Sequence, residues 1–496
     1  MKRTLIATRN FALMPVTLFI IVSLMVTLVS YAGPGGGPDH QESREMKTEV
    51  TIVGERFYIN GEPTYKGRNW VTSYGKEYPV EGLLMNARLV QGIFDDMNPE
   101  TRGQWAYPDT KQWDSDRNTG EYIDAMASWR EHGMLAFTLN LQGGCPYGYC
   151  RHQPWDNSAF APDGSLRQDY MRRLEKVLNK ADDLGMVVIL GYFYFGQDGN
   201  LNDEAAVIRA VENATNWVLD KGYRNVIIEI NNECNVRYDD HEILQCHRVH
   251  ELIRLVRDIE VNGLRLYAST SLGGGRVPPA NIVDVSDYVL LHGNGVSDPE
   301  RLVEMIREVR EMDVYSSMPI VNNEDDQPWR VENQGWSESG NNFVEAVKNY
   351  ASWGYFDFRL ASEHHDHNMG YQSIPANWHI TTDREISFFD LCASITGFPG
   401  TPRLLIETSM EIGKGTVKIE GKRTEAIQSV QIIVDNEVAM TLSERPYNFH
   451  LEDLPAGEHW IKARARFMSD EVVVIVESLY QQNPWWPYGG PARSGN

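Results

Sequence analysis

Two stretches of this sequence end alike: Val226-Ile-Ile-Glu-Ile-Asn-Asn-Glu233 and Met318-Pro-Ile-Val-Asn-Asn-Glu324. In each, an apolar run stops at Asn-Asn-Glu. Runs this apolar are expected where both faces of a strand are covered, as in a parallel sheet. An acid at the point where apolar character ends sits where an α/β barrel keeps its chemistry, at the C-terminal strand ends. One such Glu could simply cap the following loop. Two of them in equivalent places point to a pair of working carboxylates.

Working outward, strand-like runs alternate with helical patterns from residue 48 to about 396. The expected strands are Tyr65–Val71, Met134–Leu141, Val187–Phe195, Asn225–Asn231, Leu264–Thr270, Tyr288–His292, Met318–Asn322 and Gly354–Phe358. Between them, Ser165–Leu184 sets Tyr170, Leu174, Val177, Leu178 and Ala181 on one helical stripe and ends at Gly185. Asn202–Leu219, His241–Val261 and Asp298–Met312 read the same way, the last opening on Asp-Pro-Glu. Ahead of the alternation, Asn60-Gly61 marks a hairpin turn within Val53–Thr64. Eight strands with helices between them predict a closed (β/α)8 TIM barrel. A doubly wound sheet is the alternative, but no Gly-x-Gly-x-x-Gly turn follows the first strand. The two Asn-Asn-Glu ends then fall on strands four and seven.

Beyond Thr396-Gly-Phe-Pro-Gly-Thr-Pro402 the helical period gives way to alternation at Thr416–Ile419, Val430–Val434, Val438–Leu442, Trp460–Phe467 and Val472–Val476. This predicts a small all-β, immunoglobulin-like sandwich. The expected organisation is a signal peptide (1–32), a Gly/Pro-rich linker (33–46), a catalytic barrel (47–400), the sandwich (401–480) and a tail (481–496). Lys2, Arg3 and Arg9 precede the uncharged run Phe11–Val29, and Ser30-Tyr31-Ala32 has the small-x-small form of a cleavage site. A retained membrane anchor is the alternative, and both readings export the rest.

The net charge of −23 repels phosphate backbones and argues against a nucleic-acid partner. It favours a neutral carbohydrate over an anionic one. The 13 Trp and 23 Tyr suit stacking on sugar faces but equally fill cores. The 5 Cys are odd in number, so at least one is free or paired between chains. Cys145 and Cys150 are spaced for a short disulfide, with buried thiols as the alternative.

Splitting a glycosidic bond needs two carboxyl groups flanking it, one protonated and one ionised. The Asn-Asn-Glu pattern resembles the clan A glycoside hydrolases, including the cellulase-like family five. Glu229-Ile-Asn-Asn-Glu233 is similar to that clan's strand-four signature, with an acid four positions before the catalytic one. The resemblance implies Glu233 as acid/base, Asn232 as ligand of the sugar 2-hydroxyl, Glu324 as nucleophile, and retention of configuration. At period two, Glu229, Asn231 and Glu233 are expected to share a face, with Glu229 supporting the site from inside the barrel.

Two departures stand out. Asp325-Asp326-Gln327-Pro328-Trp329 replaces the usual aromatic-Gly turn after the nucleophile, and its acids compete for that role. Strand six carries Leu290-Leu291-His292-Gly293-Asn294 rather than His-x-Tyr, so His292 is the candidate substitute for the orienting tyrosine. The stretch Ser352-Trp353-Gly354-Tyr355-Phe356-Asp357 is similar to a group of exported barrel proteins.

Further candidates for binding sugar hydroxyls are Asn323 beside Glu324, Asn140 on strand two, Tyr194 on strand three and Arg68 on strand one. Trp378 is the candidate aromatic platform. The loop Glu363-His-His-Asp-His-Asn368 tempts a metal reading, but adjacent histidines point apart and no His-x₃-His accompanies them, so no metal and no cofactor are expected. No Gly-x-Ser-x-Gly elbow or Walker loop occurs. The rival function is a carbohydrate-binding barrel that has lost catalysis and carries an adhesion-type β module. Keeping both Asn-Asn-Glu ends argues against it.

Overall fold

The computed structural model describes residues 44–107, 109–146, 152–238, 240–326, 336–357, 373–408, 413–451, 457–467 and 473–482. The expected signal peptide and nearly all of the linker, Cys150, the Glu363–Asn368 loop, and the tail beyond Gln482 lie outside them. Among the described residues, no helix is long and apolar enough to cross a membrane.

The chain enters through an antiparallel sheet of β1 (Val50–Val53), β2 (Arg56–Ile59) and β3 (Glu62–Pro63). The turn between β2 and β3 is the Asn60-Gly61 pair, at φ 55° and 78°, the left-handed geometry that Asn-Gly supplies. A hairpin of β4 (Asn69–Val71) and β5 (Glu77–Pro79) follows.

Eight parallel strands come next. They are β6 (Asn86–Arg88), β7 (Ala136–Asn140), β8 (Val187–Tyr194), β9 (Val226–Asn232), β10 (Tyr267–Ser269), β11 (Val289–His292), β12 (Ile320–Glu324) and β13 (Gly354–Tyr355). Six pair in the order β10-β9-β8-β7-β6-β13, and β11 pairs with β12. A parallel bridge between Val321 and Ser352 joins β12 to the β13 segment. Asp287, just before β11, donates its N–H to Ala268 O of β10 at 3.1 Å. These contacts close the ring, so the chain is a mixed α/β protein built on a barrel.

Seven of the eight expected strands overlap barrel strands; the first does not. Tyr65–Val71 contains two left-handed residues, Tyr65 at φ 49° and Gly67 at φ 69°, which break an extended run. Its end pairs with β5 outside the barrel, and Asn86–Arg88 takes the first place.

Outer helices include α1 (Ser115–Glu131), α2 (Gln168–Leu184), α3 (Glu204–Asp220), α4 (His250–Asp258), α5 (Ala280–Val283) and α6 (Pro299–Arg310). Gly185 closes α2 at φ 68°. Asp298 caps α6 by accepting from Glu300 N–H, with Pro299 in the first turn. The helix expected over His241–Val261 is only α4, because a Cys234–Cys246 disulfide ties down the chain ahead of it.

The C-terminal part forms two antiparallel sheets. One holds β14 (Arg403–Thr408), β15 (Lys414–Glu420) and β18 (Tyr447–His450); the other orders β17 (Glu437–Leu442), β16 (Ile427–Val434), β19 (Gly457–Phe467) and β20 (Val473–Gln482). The second sheet is tied to α1 by Lys462 Nζ to Glu121 Oε1 at 3.1 Å and Arg464 Nη2 to Asp124 Oδ2 at 2.9 Å.

Trp378 lies in the packing between α1 and the barrel and is fully buried. Its Nε1 donates to Asn118 Oδ1 at 3.1 Å, its carbonyl accepts Trp129 Nε1 at 3.0 Å, and its ring meets Tyr122 edge-on at 4.9 Å between centroids. Trp378→Ala is expected to lower the unfolding free energy by about 3–5 kcal/mol, the usual cost of emptying a tryptophan site. Denaturant titration checks this. A loss under about 1 kcal/mol, the scale of an average substitution, would contradict the core assignment.

Candidate active site

Strand ends β6, β9, β11 and β12 bring five ionisable side chains together at the C-terminal mouth of the barrel. Arg88 is at the centre, fully buried. Its Nε pairs with Glu324 Oε2, its Nη1 donates to Glu229 Oε2 at 3.3 Å, and its Nη2 donates to Asn232 Oδ1 at 2.7 Å. One guanidinium thus binds three acceptors on two strands, the fork geometry that lysine lacks.

Glu229 is also fully buried, and its oxygens are filled. Oε1 accepts Ser271 Oγ at 2.5 Å, and Oε2 accepts Arg88 and Asn323 Nδ2, the latter at 3.2 Å. Burial alone would raise its pKa. The Arg88 charge, His292 and the Ser271 bond overcome that and hold it down to about 2. Glu229 is therefore a fixed anion.

His292 ends β11, where a register shift against β12 sets it opposite Glu324. A bulge at a barrel rim re-aims side chains in this way. His292 Nδ1 lies 3.0 Å from Glu233 Oε1 and 3.6 Å from Glu324 Oε2, and its Nε2 lies 3.7 Å from Glu229 Oε1. Burial pulls its pKa down, but the three carboxylates raise it to about 10. It is an imidazolium at neutral pH.

Glu233 directly follows β9 in the left-handed region, at φ 55°, which costs a residue with a Cβ roughly 1–2 kcal/mol. Ser271 Oγ accepts its N–H at 3.0 Å, and the next residue is the disulfide half Cys234. The turn aims the Glu233 carboxylate back at His292. Asn294 Nδ2 donates to Glu324 Oε1 and lies 3.4 Å from Glu233 Oε1, so one amide spans both acids. Burial and the nearby Glu233 charge push Glu324 up, against Arg88 and His292. The second ionisation of the pair is thus the costly one.

The expected residues fall into two groups. Glu233, Glu324, Asn232, His292, Asn323 and Tyr194 converge on this cluster. Burial, and then the Glu324 and Glu233 charges, raise the Tyr194 pKa. Asn323 does not present its amide nitrogen to a ligand, because Glu229 takes it. Asn140 is buried at the end of β7, paired with Gly191, and neither of its amide atoms has a partner. A Cβ on Gly191 would meet Asn140 Oδ1 at 2.2 Å, so glycine makes room for it.

Two do not join. Arg68 precedes β4, and its Nε donates to Ile395 O at 2.9 Å. It caps the C-terminus of helix Asp383–Thr396, where the carbonyls attract a cation. Trp378 is core, with no face free for a sugar. The alternation that groups Asn231 with Glu229 also fails at the strand end. Asn231 Nδ2 donates to Leu244 O at 2.7 Å, and Asn232 is the residue that meets Arg88.

Asp325 and Asp326 face elsewhere. Asp325 Oδ2 accepts Asn342 Nδ2 at 2.8 Å and Trp353 Nε1 at 3.0 Å, and Asp326 Oδ1 accepts Gly295 N–H at 3.1 Å. Residues to which the sequence reading gave no role are Arg88, Asn294 and Ser271. The signal for Arg88 was its place in the apolar run Leu83–Val90, two residues after Asn86.

Donor atoms of Glu233, His292 and Glu324 lie within 4.8 Å of one another, a spacing that a metal could use. Arg88 and the imidazolium proton already supply positive charge there, so a metal would have to displace one of them. Cys145 is also disulfide-bonded, and Cys392 is a buried free thiol.

No family model matches the chain, and no curated protein matches it. Solved structures do. The endo-beta-1,4-mannanase from Thermotoga petrophila aligns at 12% identity and TM-score 0.34, over 72% of this chain and 93% of that one. A glycoside hydrolase family 5 protein from Bacteroides vulgatus aligns at 11% and 0.41, over 87% and 96%. The family 5 mannosidase from Rhizomucor miehei aligns at 12% and 0.36, over 62% and 85%. The barrel assignment above comes from the chain's own strand ladders.

The raised His292 pKa has a stability consequence. A group whose folded pKa lies above its unfolded value contributes fully below the unfolded value, about 6.5 for histidine. That contribution is lost as pH rises through the folded value, about 10. The melting temperature should therefore fall between about pH 7 and 10, and His292→Gln should remove much of the fall. Thermal melts across that range check it. Equal falls in both proteins would mean that His292 is not charged in the folded state.

Proposed function

We propose that the chain is a glycosidase: an exported glycoside hydrolase that cleaves O-glycosidic bonds of a poly- or oligosaccharide with retention. Glu324 is the nucleophile and Glu233 the acid/base. The observation that carries this reading is the convergence of these two carboxylates from the fourth and seventh barrel strands, with Arg88 on one and Asn294 spanning both.

In the first step the Glu324 carboxylate attacks the anomeric carbon while Glu233 gives its proton to the departing oxygen. In the second, Glu233 takes a proton from water, which attacks the anomeric carbon from the face the leaving group vacated and releases the Glu324 carboxylate. Retaining pairs sit roughly 5–5.5 Å apart, whereas inverting pairs need roughly 6.5–9.5 Å to admit a water. An approach within 4.8 Å supports the former.

Arg88 orients Glu324 and balances its charge. Asn232, fixed by the same guanidinium, is the ligand for the 2-hydroxyl. Asn140 and Tyr194 contact further hydroxyls. His292 takes the tyrosine's place, contacting both acids through one ring nitrogen.

Export is supported by the basic start and apolar run of residues 2–29. The Cys234–Cys246 disulfide fits an oxidising compartment. Membrane attachment follows only if the leader stays on. The net charge of −23 favours a neutral glycan and disfavours nucleic acid.

The test is hydrolysis of a polysaccharide and aryl-glycoside panel by wild type, Glu233→Gln and Glu324→Gln. Glu233→Gln should lose roughly 10²–10⁴-fold in rate, most on poor leaving groups, as for a general acid. Glu324→Gln should lose turnover on every substrate. Proton NMR of the first-formed sugar should show the starting anomeric configuration. Full activity in either variant, or the opposite anomer, would sink the assignment.

A further inference from the structure

A second pair of carboxylates, Asp198 and Asp240, lies where the loops after β8 and β9 meet, outside the cluster described above. Asp198 follows β8 in the turn Asp198–Asn200 and is fully buried. Its Oδ1 accepts Gly196 N–H at 3.0 Å, while its Oδ2 is buried without any hydrogen-bond partner. Asp240 follows β9 and is exposed. Its carboxylate lies over Gly199, where an added Cβ would come within 2.5 Å of Asp240 Oδ2. Glycine leaves room for this acid beside the turn that holds Asp198.

The two loops are latched at this point. His241 Nε2 donates to Asp198 O at 3.1 Å, and Tyr238 OH donates to Phe193 O, on β8, at 3.3 Å. Burial, then the Asp240 charge, push Asp198 up to about 7, against the backbone N–H groups of Gly196, Asp198 and Gly199. A buried carboxylate oxygen without a donor keeps its desolvation cost unrepaid. A second acid beside it adds repulsion. Two oxygen-only ligands bridging loops, with solvent on the Asp240 side, suit a hard cation that fills its shell with water.

We propose that Asp198 and Asp240 together bind a divalent cation of the calcium class, which clasps the loop after β8 to the loop that carries Glu233. The site is independent of the reaction proposed above. It needs only the two carboxylates and the approach of the loops.

The test uses the full chain, stripped with a chelator and titrated with calcium chloride, then with magnesium chloride, by calorimetry and thermal melting. Wild type should bind one calcium with a Kd no weaker than on the order of 10⁻⁴–10⁻³ M, the range of extracellular calcium modules, and should melt higher when loaded. Asp240→Asn, at an exposed position that folding tolerates, should weaken binding about tenfold or more. Asp198→Asn should do the same if it folds. Glu233→Gln should bind calcium as wild type does. Three results would overturn the proposal. They are no saturable binding of either cation, binding unchanged in Asp240→Asn, or binding lost in Glu233→Gln, which would put the ion at the catalytic cluster.

Discussion

The contact on which the site depends is the buried guanidinium of Arg88, shared between Glu324 and Glu229. Taking an arginine out of water costs several kcal/mol, and that is recovered only where every donor finds an acceptor. The barrel meets this condition by lining its upper interior with Glu229, Asn232, Glu324 and Asn323 instead of apolar layers. Apolar packing is displaced outward, between strands and helices, where Phe137, Val188, Leu190 and Ile228 are fully buried. Removing Arg88 would strand two anions together. The two carboxylates of the proposed mechanism are thus held by the same interaction that makes a polar barrel interior tolerable.

That interaction fixes distances, but local backbone devices aim the groups. The register shift at Leu291/His292 puts the imidazole opposite Glu324. The left-handed turn at Glu233 swings its carboxylate off the strand toward His292. Both are departures from regular structure at strand ends, where the ladder no longer dictates direction. The Glu233 turn carries strain, and Ser271 and the disulfide at Cys234 hold it. Ser271 serves both sides, accepting from Glu233 N–H and donating to Glu229. A single hydroxyl therefore couples the fixed anion to the backbone of the adjacent acid.

How much of this a sequence can disclose depends on whether the signal is local. Both glutamates were legible because apolar strands ending in Asn-Asn-Glu are a local pattern with a known place in a barrel. Seven strands followed from the same texture. Arg88 was not legible, because β6 is only three residues long and carries an arginine that composition assigns to a surface. Its partners come from strands more than 140 residues away. Arg68 and Trp378 show the converse error, since a cation near a strand and an aromatic near the mouth look functional until packing is known. Trp378 has its ring against Tyr122 and its Nε1 on Asn118, and neither contact is encoded near it in sequence. The Cys234–Cys246 pairing closes the connection between β9 and α4, and its spacing alone does not distinguish it from free thiols.

The proton count is the last constraint. Glu229, Glu233 and Glu324 bring three negative charges when ionised, and Arg88 with protonated His292 brings two positive ones. A buried cluster left with net charge is costly, so it favours one further proton on the Glu233–Glu324 pair. Glu229 is excluded as the carrier, because Arg88, His292 and Ser271 hold it near pKa 2. Of the remaining two, Glu324 has the guanidinium in direct contact, which opposes the upward push of burial and of the Glu233 charge. Glu233 has only His292 and the more distant Asn294 amide. The proposed reaction needs that shared proton on the acid/base and the charge on the nucleophile, with His292 in place of a tyrosine. A histidine fills that position here because the surplus of carboxylates keeps it cationic, which a phenol could not be.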